Sequence, residues 1–138
     1  LHLAETYEKF IPSDKQGRLD AYAWTFWQVG GLGPMIGQWG HFLNAQGDHD
    51  YALERYLAET LRLFDVLDKR LANAEYLAGS EYSIADMMCW PWAEGGLGFL
   101  DKAAGDRAPA AVNVRRWIGE VSIRPAVIRA LDIAERNL

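Results

Sequence analysis

Few side chains in this sequence could carry a covalent reaction. Cys89 is the only cysteine, so neither an internal disulfide nor a thiolate zinc site can be built from it. It lies between Met88 and Trp90, the setting of a small core hydrophobe rather than of a redox thiol. His2, His41 and His49 show none of the spacings that hold a metal, and no metal site is expected. What remains is recognition chemistry. Arg55, in "YALERY", presents a planar fork suited to a carboxylate. At 3.6 residues per turn it stands roughly opposite Leu53, so it either meets a ligand or pairs on the surface with Glu59 at i+4. Trp24 and Trp27 lie one turn apart and share a face, which serves core packing or the wall of an apolar substrate pocket. Gln28 and Gln38 flank a glycine-rich stretch. Either could donate to a bound carboxylate, although a solvated helix surface is the commoner setting for such residues.

These residues must be positioned by helices. No run of β-branched residues alternates with polar ones, and helical periods dominate. Ser13 with Gln16 reads as a capping box, and a first long helix should run from about Asp14 into the glycines. "NAQGDHD", Asn44 to Asp50, is turn chemistry. Leu53, Leu57, Leu61, Phe64, Leu67 and Leu71 step by 4, 4, 3, 3 and 4, an apolar stripe along one helix that Asn73 and Ala74 end. Ser83 and Asp86 form a second capping box, with Tyr82 and Met87 as its hydrophobic staple. Trp90, Pro91 and Trp92 follow on that helix and read as core, with Pro91 kinking it. Pro109 and Pro125 each suit the first turn of a further helix. Short connections between amphipathic helices imply an antiparallel, all-α bundle of about five helices.

The glycine-rich stretch is the anomaly. "VGGLGPMIGQWG", Val29 to Gly40, holds five glycines and Pro34. A helix interior loses roughly 1 kcal/mol per Gly and about 3 per Pro relative to Ala. Gly30, Gly33, Gly37 and Gly40 nevertheless fall within a narrow arc if helix resumes at Pro34. The expectation is therefore two helical pieces with a kink near Gly30–Pro34 and "GGLG" as the break. The second piece would offer a smooth face for close packing, at a dimer interface or beneath a cleft.

Composition narrows the class. The 138 residues are 50% hydrophobic and 24% charged with net charge −5, an ordinary globular balance for one domain. No basic stripe invites nucleic acid, and no apolar run approaches the ~18 residues of a membrane span. A single cysteine fits a reducing, cytoplasmic setting. The opening "LHLAETYEKF" reads as the last turns of a helix that begins upstream, so a piece of a longer protein, or a processed N-terminus, is expected.

"YLAGSEYSIADMMCWPW" and "SIRPAVIRAL" together resemble the C-terminal all-helical domain of glutathione transferases. "FWQVGGLGPMIGQ", "YALERY" and "LDKRLAN" are similar to its nu-class, disulfide-bond reductase branch. The resemblance makes residues 1–12 the end of a thioredoxin-like domain plus linker, and residues 13–138 the helical domain. It implies glutathione as co-substrate, held and activated mainly by the upstream domain, and therefore no catalytic residue in this chain. It implies that Arg55 contacts glutathione and that Trp24, Trp27 and Gln28 line the pocket of a small electrophile or disulfide. It also implies a homodimer. Where the branch has a polar amide before the first tryptophan, this chain has Ala23, so a weaker hold on glutathione or a replacement by water is expected. The chain alone should be inactive. A non-enzymatic interaction module of the same fold is the alternative reading.

Overall fold

A computed structural model describes residues 1–136; Asn137 and Leu138, the end of the expected last helix and domain, lie outside the described residues. The elements are α1 (His2–Tyr7), α2 (Lys15–Trp27), a π-turn (Gln28–Leu32), α3 (Gly33–Asn44), α4 (Asp50–Leu71), α5 (Ile84–Ala103), α6 (Val112–Ser122) and α7 (Pro125–Glu135). No strand occurs among the described residues, and an isolated bridge pairs Tyr76 with Gly79. No described helix is long and apolar enough to cross a membrane.

The helix with the most buried residues stands at the centre. α5 buries Ala85, Cys89, Trp90, Ala93, Gly96, Leu97 and Leu100, and α2, α3 and α6 pack around it. α4 adds Leu63, Phe64, Leu67 and Leu71, α3 adds Trp39, and α6 adds Val114, Trp117 and Val121. Each large apolar side chain withdrawn in this way contributes about 1.5–3 kcal/mol. The leucine stripe of α4 is real over its second half. Leu53, Leu57 and Leu61 are only half-buried, while Thr60 and Leu63 face inward.

Several local expectations shift. Asp14, not Ser13, caps α2, its carboxylate accepting from Gly17 N–H at 2.9 Å; Gln16 instead donates to Asp20. Pro109 does not begin α6. The chain reverses at Ala111, φ 43°, and the helix starts at Val112. The cap comes from another helix. Asp68 on α4 accepts from the Asn113 and Val114 amides at 2.9 and 3.0 Å. Arg116 on α6 acts in return on the C-terminal end of α4, donating to Leu71 and Ala74 carbonyls at 3.0 and 3.2 Å. Each helix end thus satisfies the orphan groups of its neighbour. Pro125 does open α7.

The glycine stretch does not break the helix. Backbone angles stay right-handed helical from Trp27 through Gly33, and Gly33 N–H reaches back five residues to Gln28 C=O. Pro34 explains the wider turn, because its ring would strike the carbonyl of residue 30 and it has no N–H to give that carbonyl. One extra residue in the turn removes the conflict. It also changes the helix phase, so Gly30 falls out of line with Gly33, Gly37 and Gly40, which keep α-helical spacing along α3. Gly33 and Gly37 face the Trp92 ring, whereas Gly30 and Gly40 have open space. The turn changes the packing partner too: α2 lies on α5, and α3 packs chiefly on α4.

Candidate functional site

The outer face of α4 brings Tyr51, Arg55, Glu59 and Arg62 together at helical spacing. With Met35 of α3 they line a groove of about 490 Å³. The charges within it sort into pairs and one remainder. Arg62 donates twice to Glu59, at 2.8 and 2.7 Å, and Arg107 donates to Glu54 at 2.7 Å. Arg62's hydrogen bonds hold the Glu59 carboxyl below its ordinary range, the Arg55 charge adding to the effect. Arg55 itself is exposed and has no ion-pair partner among the described residues. The expected alternative, an Arg55–Glu59 pair, is not formed; Arg62 takes both oxygens of that carboxylate from three residues on. The groove's unspent charge is a single guanidinium, which favours a carboxylate ligand. The sequence reading named neither Tyr51 nor Arg62, although periodicity along α4 places both near Arg55; Met35 needed the packing of α3 on α4.

Trp24 and Trp27 do not line this groove. They meet edge to face at 4.9 Å on α2 and are half-buried against the core. The Cys89 thiol donates to Trp24 C=O at 3.6 Å, and burial pushes that thiol well above its ordinary pKa. Cys89 is thus the inert core residue expected. Ala23 beside the pair is exposed. Gln28 is no solvated surface residue: it is 4% exposed at the start of the π-turn. Its amide nitrogen and the Trp92 indole converge over Gly33, where an added Cβ would lie 2.5 Å from Gln28 Nε2. Gln28 Oε1 has no hydrogen-bond partner among the described residues. Gln38 is exposed. Of the three residues read as core on α5, only Trp90 is buried, donating to Ile118 C=O at 3.2 Å; Pro91 and Trp92 are exposed.

The Ser83–Asp86 box is fully formed. Ser83 Oγ accepts from Ala85 N–H, and Asp86 Oδ2 accepts from Ser83 N–H at 2.9 Å. The sequence did not foretell that Asp86 Oδ1 also accepts from Leu77 N–H at 3.0 Å and from Trp117 Nε1–H at 2.9 Å. Tyr82 and Met87, the staple, border a second cavity of about 310 Å³ under α7, where the Arg124 guanidinium lies 3.7 Å over the Tyr82 ring.

Residues 50–120, from the Arg55 groove through the capped α5 to α6, match the family described as glutathione S-transferase, C-terminal domain. The chain belongs to this glutathione S-transferase family. The capped helix α5 lies wholly within the residues that match the glutathione S-transferase C-terminal domain. Over 134 residues the chain is 44% identical to the disulfide-bond oxidoreductase YfcG of Escherichia coli K12, covering 95% of this chain and 59% of that protein. It is 40% identical over 140 residues to the disulfide-bond oxidoreductase YghU of the same organism, covering 99% of this chain and 49% of that one. The chain therefore spans only half to three-fifths of these relatives. Among solved structures, a glutathione transferase from Burkholderia graminis with two glutathione molecules per subunit superposes with a TM-score of 0.84 at 39% identity, over 94% of this chain and 55% of that one. One from Pseudomonas putida with a bound glutathione disulfide gives 0.85 at 32% identity, over 95% and 58%.

Proposed function

We propose that this chain is the helical domain of a glutathione-dependent transferase or disulfide-bond reductase, and that Arg55 holds a carboxylate of glutathione. The observation that carries the reading is the Arg55 groove, in which every neighbouring charge is paired and one guanidinium is left for a ligand. Relatives named for disulfide chemistry and solved neighbours holding glutathione support it. Residues 1–12 would end an upstream thioredoxin-like domain, and 13–138 form the helical one. The upstream domain supplies the chemistry. A thiol of pKa about 8.5 is only a few per cent thiolate at neutral pH, and it must be activated before it attacks a carbon or a disulfide sulfur. This chain supplies shape and counter-charge: Arg55 for the peptide, and Trp24, Trp27 and Gln28 for the apolar second substrate. Gln28, buried where α2 passes into the π-turn, would back that pocket from behind. A homodimer in the cytoplasm completes the reading.

The test is Arg55→Ala in the full-length protein. The glutathione KM should rise several-fold, with Arg55→Lys intermediate because charge remains and the fork is lost. Folding stability should stay within about 0.5 kcal/mol, since no ion pair is broken. An unchanged glutathione KM removes Arg55 from the site.

A further inference from the structure

We propose that Phe10 is a positioning residue: it clamps the segment preceding the bundle onto the capped start of α5, and so sets where α1 stands relative to the Trp24–Trp27 face of α2. The inference rests on the reading of residues 1–12 as the end of an upstream glutathione-holding domain.

The evidence begins with the backbone. Glu8 and Phe10 have φ of 49° and 59°, a region that bulky side chains rarely adopt. Such a conformation persists only where its surroundings over-determine it. At Phe10 they do. Its carbonyl accepts from Ile84 N–H at 2.8 Å, a first-turn amide of α5 that no carbonyl within that helix can reach. Its ring meets Tyr82 edge to face at 6.1 Å and 87°. Tyr82 is held in turn by Tyr76 at 5.8 Å and by Arg124 at 3.7 Å. The turn between α1 and α2, the α4–α5 loop, the α5 cap and the start of α7 therefore lock onto one ring stack. Ile11 and Pro12 are buried just beyond.

A second set of ties fixes α1 against α2. Glu5 accepts from Arg18 Nη1 at 3.0 Å and from the Tyr22 hydroxyl, and Arg18 Nε donates to Pro12 C=O at 3.1 Å. Tyr22 precedes Trp24 by two residues on the same helix. The outer face of α1 is meanwhile apolar and open, with Leu1, Leu3 and Tyr7 at 49, 70 and 67% exposure. A short helix held rigidly on one side and apolar on the other is what an element shared by two bodies requires. Sulfur-to-sulfur attack needs its reactants placed to within about an ångström; a misplacement of that size costs up to about a hundredfold in rate. Phe10 supplies that placement without touching either substrate.

The full-length protein carries the test. Phe10→Gly keeps the left-handed backbone and removes the ring, and Phe10→Tyr keeps the ring. With glutathione and bis(2-hydroxyethyl) disulfide, Phe10→Gly should lower kcat/KM for the disulfide about tenfold, with a raised disulfide KM and a glutathione KM within about twofold. Phe10→Tyr should restore the disulfide value. A merely structural loss would lower kcat alone and leave both KM values where they were, and that result overturns the proposal, as does no change at all. Spin labels on Thr6→Cys and Arg129→Cys, both exposed, read the clamp without catalysis. One narrow distance should broaden in Phe10→Gly, and an unbroadened distance overturns the clamp whatever the kinetics. A parent protein with no glutathione-dependent turnover instead overturns the glutathione reading and the catalytic role given to Phe10 with it; the distance measurement then still decides the clamp.

Discussion

Replacing Asp86 by Ala should destabilise the fold more than any other single polar truncation considered for this chain. The carboxylate is fully buried and accepts four hydrogen bonds, from Leu77 N–H, Trp117 Nε1–H, Ser83 N–H and Ser83 Oγ–H. Alanine leaves three buried N–H donors with no acceptor, while the hydroxyl can rotate. Each orphaned donor costs about 1–3 kcal/mol, and neighbours in one network do not add fully. The expected loss is about 4 kcal/mol, a large share of the ~5–15 kcal/mol that holds a domain together. Asp86→Asn keeps one acceptor oxygen and should lose about 2 kcal/mol. Ser83→Ala removes a single cap and should lose about 1 kcal/mol.

Urea unfolding followed by far-ultraviolet circular dichroism and by tryptophan fluorescence measures all three, coincident transitions securing the two-state treatment. If the alanine variant does not fold, the asparagine and serine variants carry the comparison. A loss at Asp86→Ala no larger than at Ser83→Ala would refute the reasoning, because it would mean that the Leu77 and Trp117 bonds contribute nothing. pH gives an independent check. Burial raises the Asp86 carboxyl above its ordinary value, against the pull of its four donors. The native state therefore keeps this proton at a pH where the unfolded chain has released it. The resulting contribution is full below the unfolded pKa, about 3.9, and is lost as pH rises through the native value. The advantage of the parent over Asp86→Asn should shrink across that window; an advantage that grows with pH would contradict the burial effect.

Asp68→Ala removes the remote cap of α6 and should cost about 1–2 kcal/mol by the same urea assay, although Asp68 is over forty residues from the amides it serves. Gly96→Ala would set a Cβ 2.7 Å from Ile36 Cδ1 where α5 crosses α3. A loss of about 1–3 kcal/mol is expected, and Ile36→Val, which deletes that methyl, should recover part of it; additive losses would show that the two residues do not collide. Cys89 should resist a thiol reagent at neutral pH in the native chain and react fully in urea, because burial both raises its pKa and blocks access. Rapid native labelling would show that α5 opens.

Local, short-range interactions were legible in the sequence. The Ser83–Asp86 box, the Pro125 start and the α4 stripe depend on residues three or four apart, and a helix brings such neighbours together whatever surrounds it. The same locality makes Ser13 and Asp14 hard to rank as caps, since both residue types serve. Arg55 was visible as a guanidinium off the apolar stripe, but its freedom was not. Arg62 and Arg55 both flank Glu59, and which of them takes the carboxylate depends on rotamers and neighbours. Gln28 looked like surface because of its polar type, whereas it continues the buried face that Ala21 and Thr25 begin on α2, at the helical steps of four and three.

The sequence by itself determined that this protein is a set of helices, where most of them begin, and which residue types are available to hold an anion. The tertiary structure alone decided that Asp68 caps a helix far along the chain, that Asp86 gathers Leu77 and Trp117, and that Phe10 bends back onto Ile84. The physical reason is common to all three. A buried polar group must find a partner, and when its neighbours along the chain cannot supply one, only the packing of distant segments settles which group answers.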